Sequence, residues 1–223
     1  MSNPIILVVD GVIGAGKSVL VEKIATSLRI HPYNKKVVVI TEPVDKWEAI
    51  GIFQKFCKDM KRWAYEFQTY VHFTRVQSCI DGFELNSNAD IYILERSYYT
   101  DKYIFIELLK DNECLSDMQY EMYNNWWKLW NKVNPLKPTG FIYLRPNINL
   151  CMDRIKERNR EGENNISIDY QLNLQKKHDD FFNNTEKMIN VKTLVLEENR
   201  NFRDDNKILD EVVECIITFF KID

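Results

Sequence analysis

The segment Gly11-Val12-Ile13-Gly14-Ala15-Gly16-Lys17-Ser18 carries the spacing G-x-x-x-x-G-K-[ST]. In such a loop successive backbone N–H groups converge on phosphate oxygens. Glycine at 11, 14 and 16 permits the torsions the loop needs, and a helix starting directly behind it adds the favourable end of its dipole. Lys17 is expected to reach the β- and γ-phosphates and Ser18 to ligate magnesium, with Ala15 and Val19 completing the cradle. A nucleoside triphosphate is the ligand these residues imply.

Three further polar clusters could do chemistry on whatever accepts the phosphate. Glu42-Pro43-Val44-Asp45-Lys46-Trp47 follows an apolar run, and a carboxylate at the end of such a strand could take a proton from an acceptor hydroxyl. Gln68 and Arg75 lie seven residues apart, about two turns of helix, and so share a face. An amide with paired donor and acceptor suits the edge of a base. Glu95-Arg96-Ser97 begins where the run Ile91-Tyr92-Ile93-Leu94 stops, which turns Glu95 towards the phosphates, and Asp101 follows shortly after.

Elements must position these groups. Short apolar runs at 4–10, 36–41, 90–95, 139–145 and 192–197 read as buried parallel strands. Helical patterns fill the gaps near 17–29, 47–57, 60–86, 98–110, 116–133, 147–160, 167–188 and 205–220. This alternation predicts an α/β fold with a five-stranded parallel sheet flanked by helices. Tyr123, Trp126, Trp127 and Trp130 form an i, i+3, i+4, i+7 stripe, by default core packing, with a dimer face as the second option.

Composition sets limits. The chain has 223 residues, 45% hydrophobic and 28% charged, enough for one domain with a full core. A net charge of -3 argues against a nucleic-acid binder, which needs a basic surface. Five scattered cysteines without a C-x-x-C indicate neither a disulfide framework nor a zinc site and suit a reducing compartment. With the first apolar run starting at Ile5 and no run near the roughly 20 residues of a membrane span, a soluble cytoplasmic protein is expected.

Taken together the clusters resemble the deoxyribonucleoside kinase family, in the branch holding the deoxycytidine, deoxyguanosine and deoxyadenosine kinases, over nearly the whole chain. The glycine loop is followed by E-P-V-x-x-W at Glu42 to Trp47, then R-W-x-x-x-F-Q-T-Y at Arg62 to Tyr70. Next comes E-R-S-x-Y-S-D-R-Y-I-F at Glu95 to Phe105, with Thr100 and Lys102 as near-conservative changes. Arg154 to Glu163 looks like the family's arginine-rich lid, about 154–166, and Ile168-Asp169-Tyr170 continues the match.

The resemblance implies a P-loop kinase fold in a single domain over 1–223, and it implies roles. Glu42 would be general base for the deoxyribose 5'-hydroxyl. Lys17, Arg96, Arg154, Arg158 and Arg160 would stabilise the transferring phosphoryl group of ATP, while Ser18 and Glu95 hold Mg2+. Gln68 would read the base between the aromatics Trp47, Phe67 and Phe105. Glu163 would bind the sugar 3'-hydroxyl. Where the family has a tyrosine as second partner of that hydroxyl this chain has Cys57, with Phe56 beside it, and a thiol is a weak donor. Arg75 and Asp101 mark the kinases that prefer cytosine and purines over thymine. A homodimer joined through helices is also implied.

Other classes remain in view. A switch GTPase would need N-K-x-D, and the nearest string, Asn131-Lys132-Val133-Asn134, lacks the carboxylate that accepts from guanine. A nucleoside monophosphate kinase shares fold and lid but has no need of a base such as Glu42. A non-catalytic nucleotide sensor would lack the base and magnesium residues.

Overall fold

The computed structural model describes residues 3–200, 202 and 205–222. Its centre is one all-parallel sheet of β1 (Ile5–Gly11), β2 (Val37–Ile40), β3 (Ile91–Glu95), β4 (Gly140–Leu144) and β5 (Lys192–Leu196), in the order β2-β3-β1-β4-β5. β1 lies in the middle, with Leu7 in register with Ile93 on one side and Gly140 on the other. All five residues of β3 and of β4 are buried, which is why Ile91 to Leu94 and Phe141 to Leu144 run apolar without alternating.

The helices are α1 (Lys17–Arg29), α2 (Val44–Ala49), α3 (Ile52–Lys58), α4 (Met60–Leu85), α5 (Tyr98–Thr100), α6 (Ile106–Asp111), α7 (Asp117–Val133), α8 (Ile148–Arg158), α9 (Ile168–Phe182), α10 (Thr185–Ile189) and α11 (Asn206–Phe220). α1 packs on β1, β2 and β3, and α4 on β2, α3 and α7. Caps set several ends. The Asp59 side chain accepts from the Arg62 amide at the start of α4, and Ser116 with Gln119 forms a capping box on α7, so orphan N–H groups at both starts are satisfied.

Three helical expectations need correction. The stretch 47–57 is two short helices, because Gly51 takes φ 70°, a left-handed value that ends α2 and turns the chain into α3. The stretch 98–110 is interrupted by a π-helical segment, Asp101–Phe105, a wider turn that commonly marks functional positions. The stretch 167–188 breaks after Phe182 and resumes at Thr185. The aromatic stripe of α7 divides: Tyr123 and Trp127 are core, at 2% and 7% exposed, while Trp126 is 53% exposed.

Candidate active site

Successive connections leave β1 in opposite directions, towards β3 and β2 on one side and β4 and β5 on the other. A crevice opens at the carboxyl end of the strands wherever a parallel sheet reverses in this way. Here it is a cavity of about 1230 Å³.

The glycine loop forms one end. Gly14 has φ 79°, and a Cβ there would come within 2.5 Å of the Cys151 carbonyl oxygen, so neither torsion nor space admits a side chain. Gly14, Gly16, Lys17, Ser18 and Val19 line the cavity, whereas Gly11 and Ala15 stand behind it. The carbonyl oxygens of those two accept from Arg96 Nη2 and Arg154 Nη1, both at 3.0 Å. Lys17 Nζ donates to the Val12 carbonyl at 3.0 Å. Burial, reinforced by the charge of Arg96, lowers the Lys17 pKa to about 8.

Ser18 Oγ donates to Glu95 Oε1 at 2.7 Å. Among the described residues no group of three or more acids, histidines or cysteines could hold a metal. That donor set fits magnesium arriving with its nucleotide, since this ion keeps several waters and takes one or two protein oxygens together with phosphate oxygens.

Across the cavity the acids and arginines form one network. Glu42, just beyond β2, accepts from Arg75 Nη2 at 2.9 Å and from Arg96 Nη1 at 3.0 and 3.2 Å. Burial pushes the Glu42 carboxyl up, but Arg96, Arg75 and Lys17 more than offset this and hold it well below the usual carboxylate range. Arg96 sits at φ 60°, a conformation that costs a non-glycine residue on the order of 1–3 kcal/mol and persists only where its surroundings hold it. Its guanidinium lies 4.9 Å from the Phe105 ring centroid. Arg75 Nε donates to both carboxylate oxygens of Asp101, at 3.2 and 3.0 Å. Burial pushes the Asp101 carboxyl up to about 6 against the pull of Arg75.

Aromatic rings wall the far end. Phe56 stacks on Phe67 with centroids 4.4 Å apart, and Trp47 meets Phe67 edge-on at 5.7 Å. Trp47 Nε1 donates to Thr74 Oγ1 at 2.8 Å, which fixes its ring. Gln68 is buried, and its Oε1 has no partner. An unsatisfied amide oxygen inside a cavity is a position where a ligand donor restores a lost hydrogen bond.

The lid returns to this end. Glu163 is buried and accepts from Arg158 Nη2 at 2.8 and 2.6 Å and from Arg158 Nε at 3.1 Å, with Arg160 Nη1 at 3.5 Å. Arg160 Nε also lies 3.4 Å from Glu48. Arg154 turns to the glycine loop, whereas Arg158 and Arg160 are engaged by these acids. Cys57 packs where a Cβ on Gly162 would lie 3.0 Å from its sulfur. Burial, aided by the nearby Glu163 charge, pushes its thiol up to about 11, leaving it a neutral, weak donor.

One set of residues is missed by the sequence reading. Asp10 is fully buried at the end of β1. It accepts from the Gly11 amide at 2.8 Å and from Thr100, and it faces His178 Nε2 at 3.3 Å and Arg96 Nε at 3.6 Å. The signal was present, since an acid inside an apolar strand must find partners when buried. Identifying those partners required α5 and α9 to be in place.

The sheet order and the loop at its reversal define the class, a P-loop kinase fold with a network of acids and arginines opposite the loop. The sequence profile of the deoxynucleoside kinase family matches residues 7–221, and the chain belongs to that family. It is 34% identical to a probable deoxycytidine kinase of Fowlpox virus, over 95% of this chain and 86% of that one. It is 28% identical to deoxycytidine kinase 2 of Gallus gallus, covering 95% and 88% of the two chains. To the mitochondrial deoxyguanosine kinase of Xenopus laevis the identity is 25%, over 96% and 88%. The chain is thus an enzyme, a deoxynucleoside kinase that takes its phosphate from a nucleotide. None of the described helices is long and apolar enough to cross a membrane.

Proposed function

We propose that the chain transfers the γ-phosphate of ATP, or of another nucleoside triphosphate, to the 5'-hydroxyl of deoxycytidine, deoxyadenosine or deoxyguanosine in preference to thymidine. The observation that carries this reading is the continuous line of groups from Gln68 through Arg75–Asp101 and Glu42 to Arg96 and the glycine loop, all around one cavity. In this reading base recognition, proton acceptance and phosphate binding follow one another in the order a deoxynucleoside 5'-phosphorylation requires. The whole chain serves as one domain in this reading.

Phosphoryl transfer calls for positioning and charge neutralisation more than for a strong base. Glu42 is ionised at any working pH and keeps Oε2 lightly engaged, so it can accept a hydrogen bond from the 5'-hydroxyl and aim that oxygen. It receives the proton late, once the new bond has made the oxygen acidic. Arg96 touches Glu42 and the Gly11 carbonyl together, which supports a role for its positive charge between acceptor and donor. Ser18 and Glu95 would hold Mg2+, which would supply neutralisation of the charge developing on the phosphate oxygens. Lys17 adds a cation on the same oxygens.

At the base end Gln68 offers a paired acceptor and donor, flanked by Trp47, Phe67 and Phe105. An ionised Asp101 accepts from the exocyclic amine of cytosine or adenine, whereas thymine would bring its O4 carbonyl there without a donor and its methyl into room that the Arg75–Asp101 pair occupies; guanine brings a carbonyl but no methyl, so deoxyguanosine should rank between them. A buried polar group left unpaired costs about 1–3 kcal/mol, so thymidine is expected to be worse by about one to two orders of magnitude in kcat/KM. Glu163 meets the sugar 3'-hydroxyl once Arg158 turns to phosphate. The five free thiols fit a cytoplasmic setting, and two copies associate through α7 and α4.

The deciding experiment compares kcat/KM for the four deoxynucleosides, with thymidylate as a fifth acceptor. The reading expects the three amine-bearing or purine nucleosides to lead. Preferred phosphorylation of thymidylate would replace it with a monophosphate kinase, and preference for thymidine would overturn the role of Asp101.

A further inference from the structure

Behind the Arg75–Asp101 pair, on the side away from the cavity, lies a second layer of polar groups. His72 of α4 is 5% exposed, and both of its ring nitrogens lack a partner. Its Nδ1 lies 4.0 Å from Asp101 Oδ2. The His72 ring meets the rings of Tyr123 and Tyr98 edge-on, at centroid distances of 5.7 and 6.0 Å. Tyr123, from α7, is itself buried, with its hydroxyl unpartnered. Two buried residues in ring contact thus hold three orphaned polar atoms, one of which faces this carboxylate. Orphans of this kind are uncommon in folded proteins and call for an account. A gap of 4.0 Å is too long for a direct hydrogen bond, and a small tilt of the His72 ring would close it.

We propose that His72 and Tyr123 donate hydrogen bonds to the back of Asp101 and thereby keep its cavity-facing oxygen an acceptor for the base, which makes His72 a positioning residue for base selection. This rests on the reading of Asp101 given above. The groups facing Asp101 are Arg75, His72 and Cys79 from α4, Glu42 after β2, Arg96 after β3, and Tyr123 from α7. Of these, Arg75 and Arg96 favour the carboxylate, while Glu42 and burial oppose it. His72 is held neutral, its pKa lowered to about 4 by burial and then by Arg75, so it acts as a neutral donor. Burial pushes the Tyr123 hydroxyl well up, so that group keeps its proton. Hydrogen bonds to the charged form lower a carboxyl pKa, and taking them away raises it. Without His72, Asp101 holds its proton to higher pH, becoming a donor that repels the exocyclic amine and accommodates a carbonyl.

The test measures kcat/KM for deoxycytidine and thymidine from pH 5 to 9 in the full chain and in four variants, each checked for folding by thermal melting. In the parent, deoxycytidine efficiency should fall on the acid side as Asp101 protonates, while thymidine efficiency should not. In His72→Phe, which keeps a ring against Tyr98 and Tyr123, that acid limb should move up by about one pH unit, with up to about a tenfold loss of deoxycytidine preference near its midpoint. His72→Gln should recover part of the shift, and Tyr123→Phe should move the limb in the same direction. If His72→Phe fails to fold, Tyr123→Phe decides. Folded variants with an unmoved acid limb and unchanged selectivity would overturn the proposal. If Asp101→Asn itself leaves selectivity unchanged, the reading of Asp101 fails first and takes this inference with it.

Discussion

Glu42 and Lys17 show how the same burial acts on opposite charges. Both sit in the cavity wall, yet two arginines keep the acid ionised, whereas the lysine loses part of its hold on its proton. For Glu42→Gln the amide keeps the shape but cannot accept the 5'-proton. Turnover should fall by about 10²- to 10⁴-fold with deoxynucleoside affinity retained, measured as single-turnover phosphorylation and binding on one sample. Turnover within threefold of the parent would remove Glu42 from that role. For Lys17 the sign runs the other way. Its pKa is about 8, so raising the pH through 8 discharges it in the free enzyme and should weaken nucleotide binding. Lys17→Arg should flatten that pH dependence, since guanidinium stays charged; a parent whose nucleotide Kd is constant from pH 7 to 9 would contradict this.

At the scale of elements, the stretch from Arg154 to Glu163 sets a residue proposed for the donor against one proposed for the acceptor. Arg158 is clasped by Glu163, so on the proposed roles the pair must part before either meets its ligand. In Glu163→Gln the amide releases Arg158. The deoxynucleoside KM should rise while affinity for a non-hydrolysable ATP analogue, titrated calorimetrically without nucleoside, improves about two- to fivefold. That modest gain reflects the partial exposure of Arg158, where ion pairs contribute at most about 1 kcal/mol. An unchanged analogue affinity would mean that Arg158 does not serve the donor site. The π segment matters in another way. Its wider turn places Asp101 and Phe105 in one wall, and a regular 3.6-residue repeat gives no indication of it.

For the whole molecule, the exposed apolar positions on α7 are the main clue to assembly. Met118, Met122, Trp126, Leu129 and Val133 are all solvent-facing, and Phe73 of the neighbouring α4 joins them at the surface. A twofold pairing would bury this face against its own copy. Sedimentation at micromolar concentration should report twice the 26.6 kDa of one chain. The combined change Trp126→Glu and Leu129→Glu should give a monomer that still melts cooperatively. Trp127→Ala, by contrast, opens a cavity against Tyr98, Tyr99 and Tyr103 and should lose about 3–5 kcal/mol of stability. A parent that sediments as a monomer would defeat the pairing.

Much was legible without coordinates. The glycine loop, the five strands and the acid-bearing blocks each follow from local chemistry, since a phosphate cradle needs glycines at set spacing and a buried parallel strand needs a continuous apolar run. Those patterns span a few neighbouring residues and survive in a linear reading. What depends on packing did not. The breaks at Gly51 and Phe182 lie in helical patterns that continue across them, and the division of the Tyr123 to Trp130 stripe is decided by which neighbours cover each ring. Which arginine clasps which acid, and how Asp10 meets Thr100 and His178, joins positions as many as 168 residues apart. Only the folded sheet brings such groups within hydrogen-bond reach, because burial and charge set a side chain's state through neighbours that are close in space and distant in the chain.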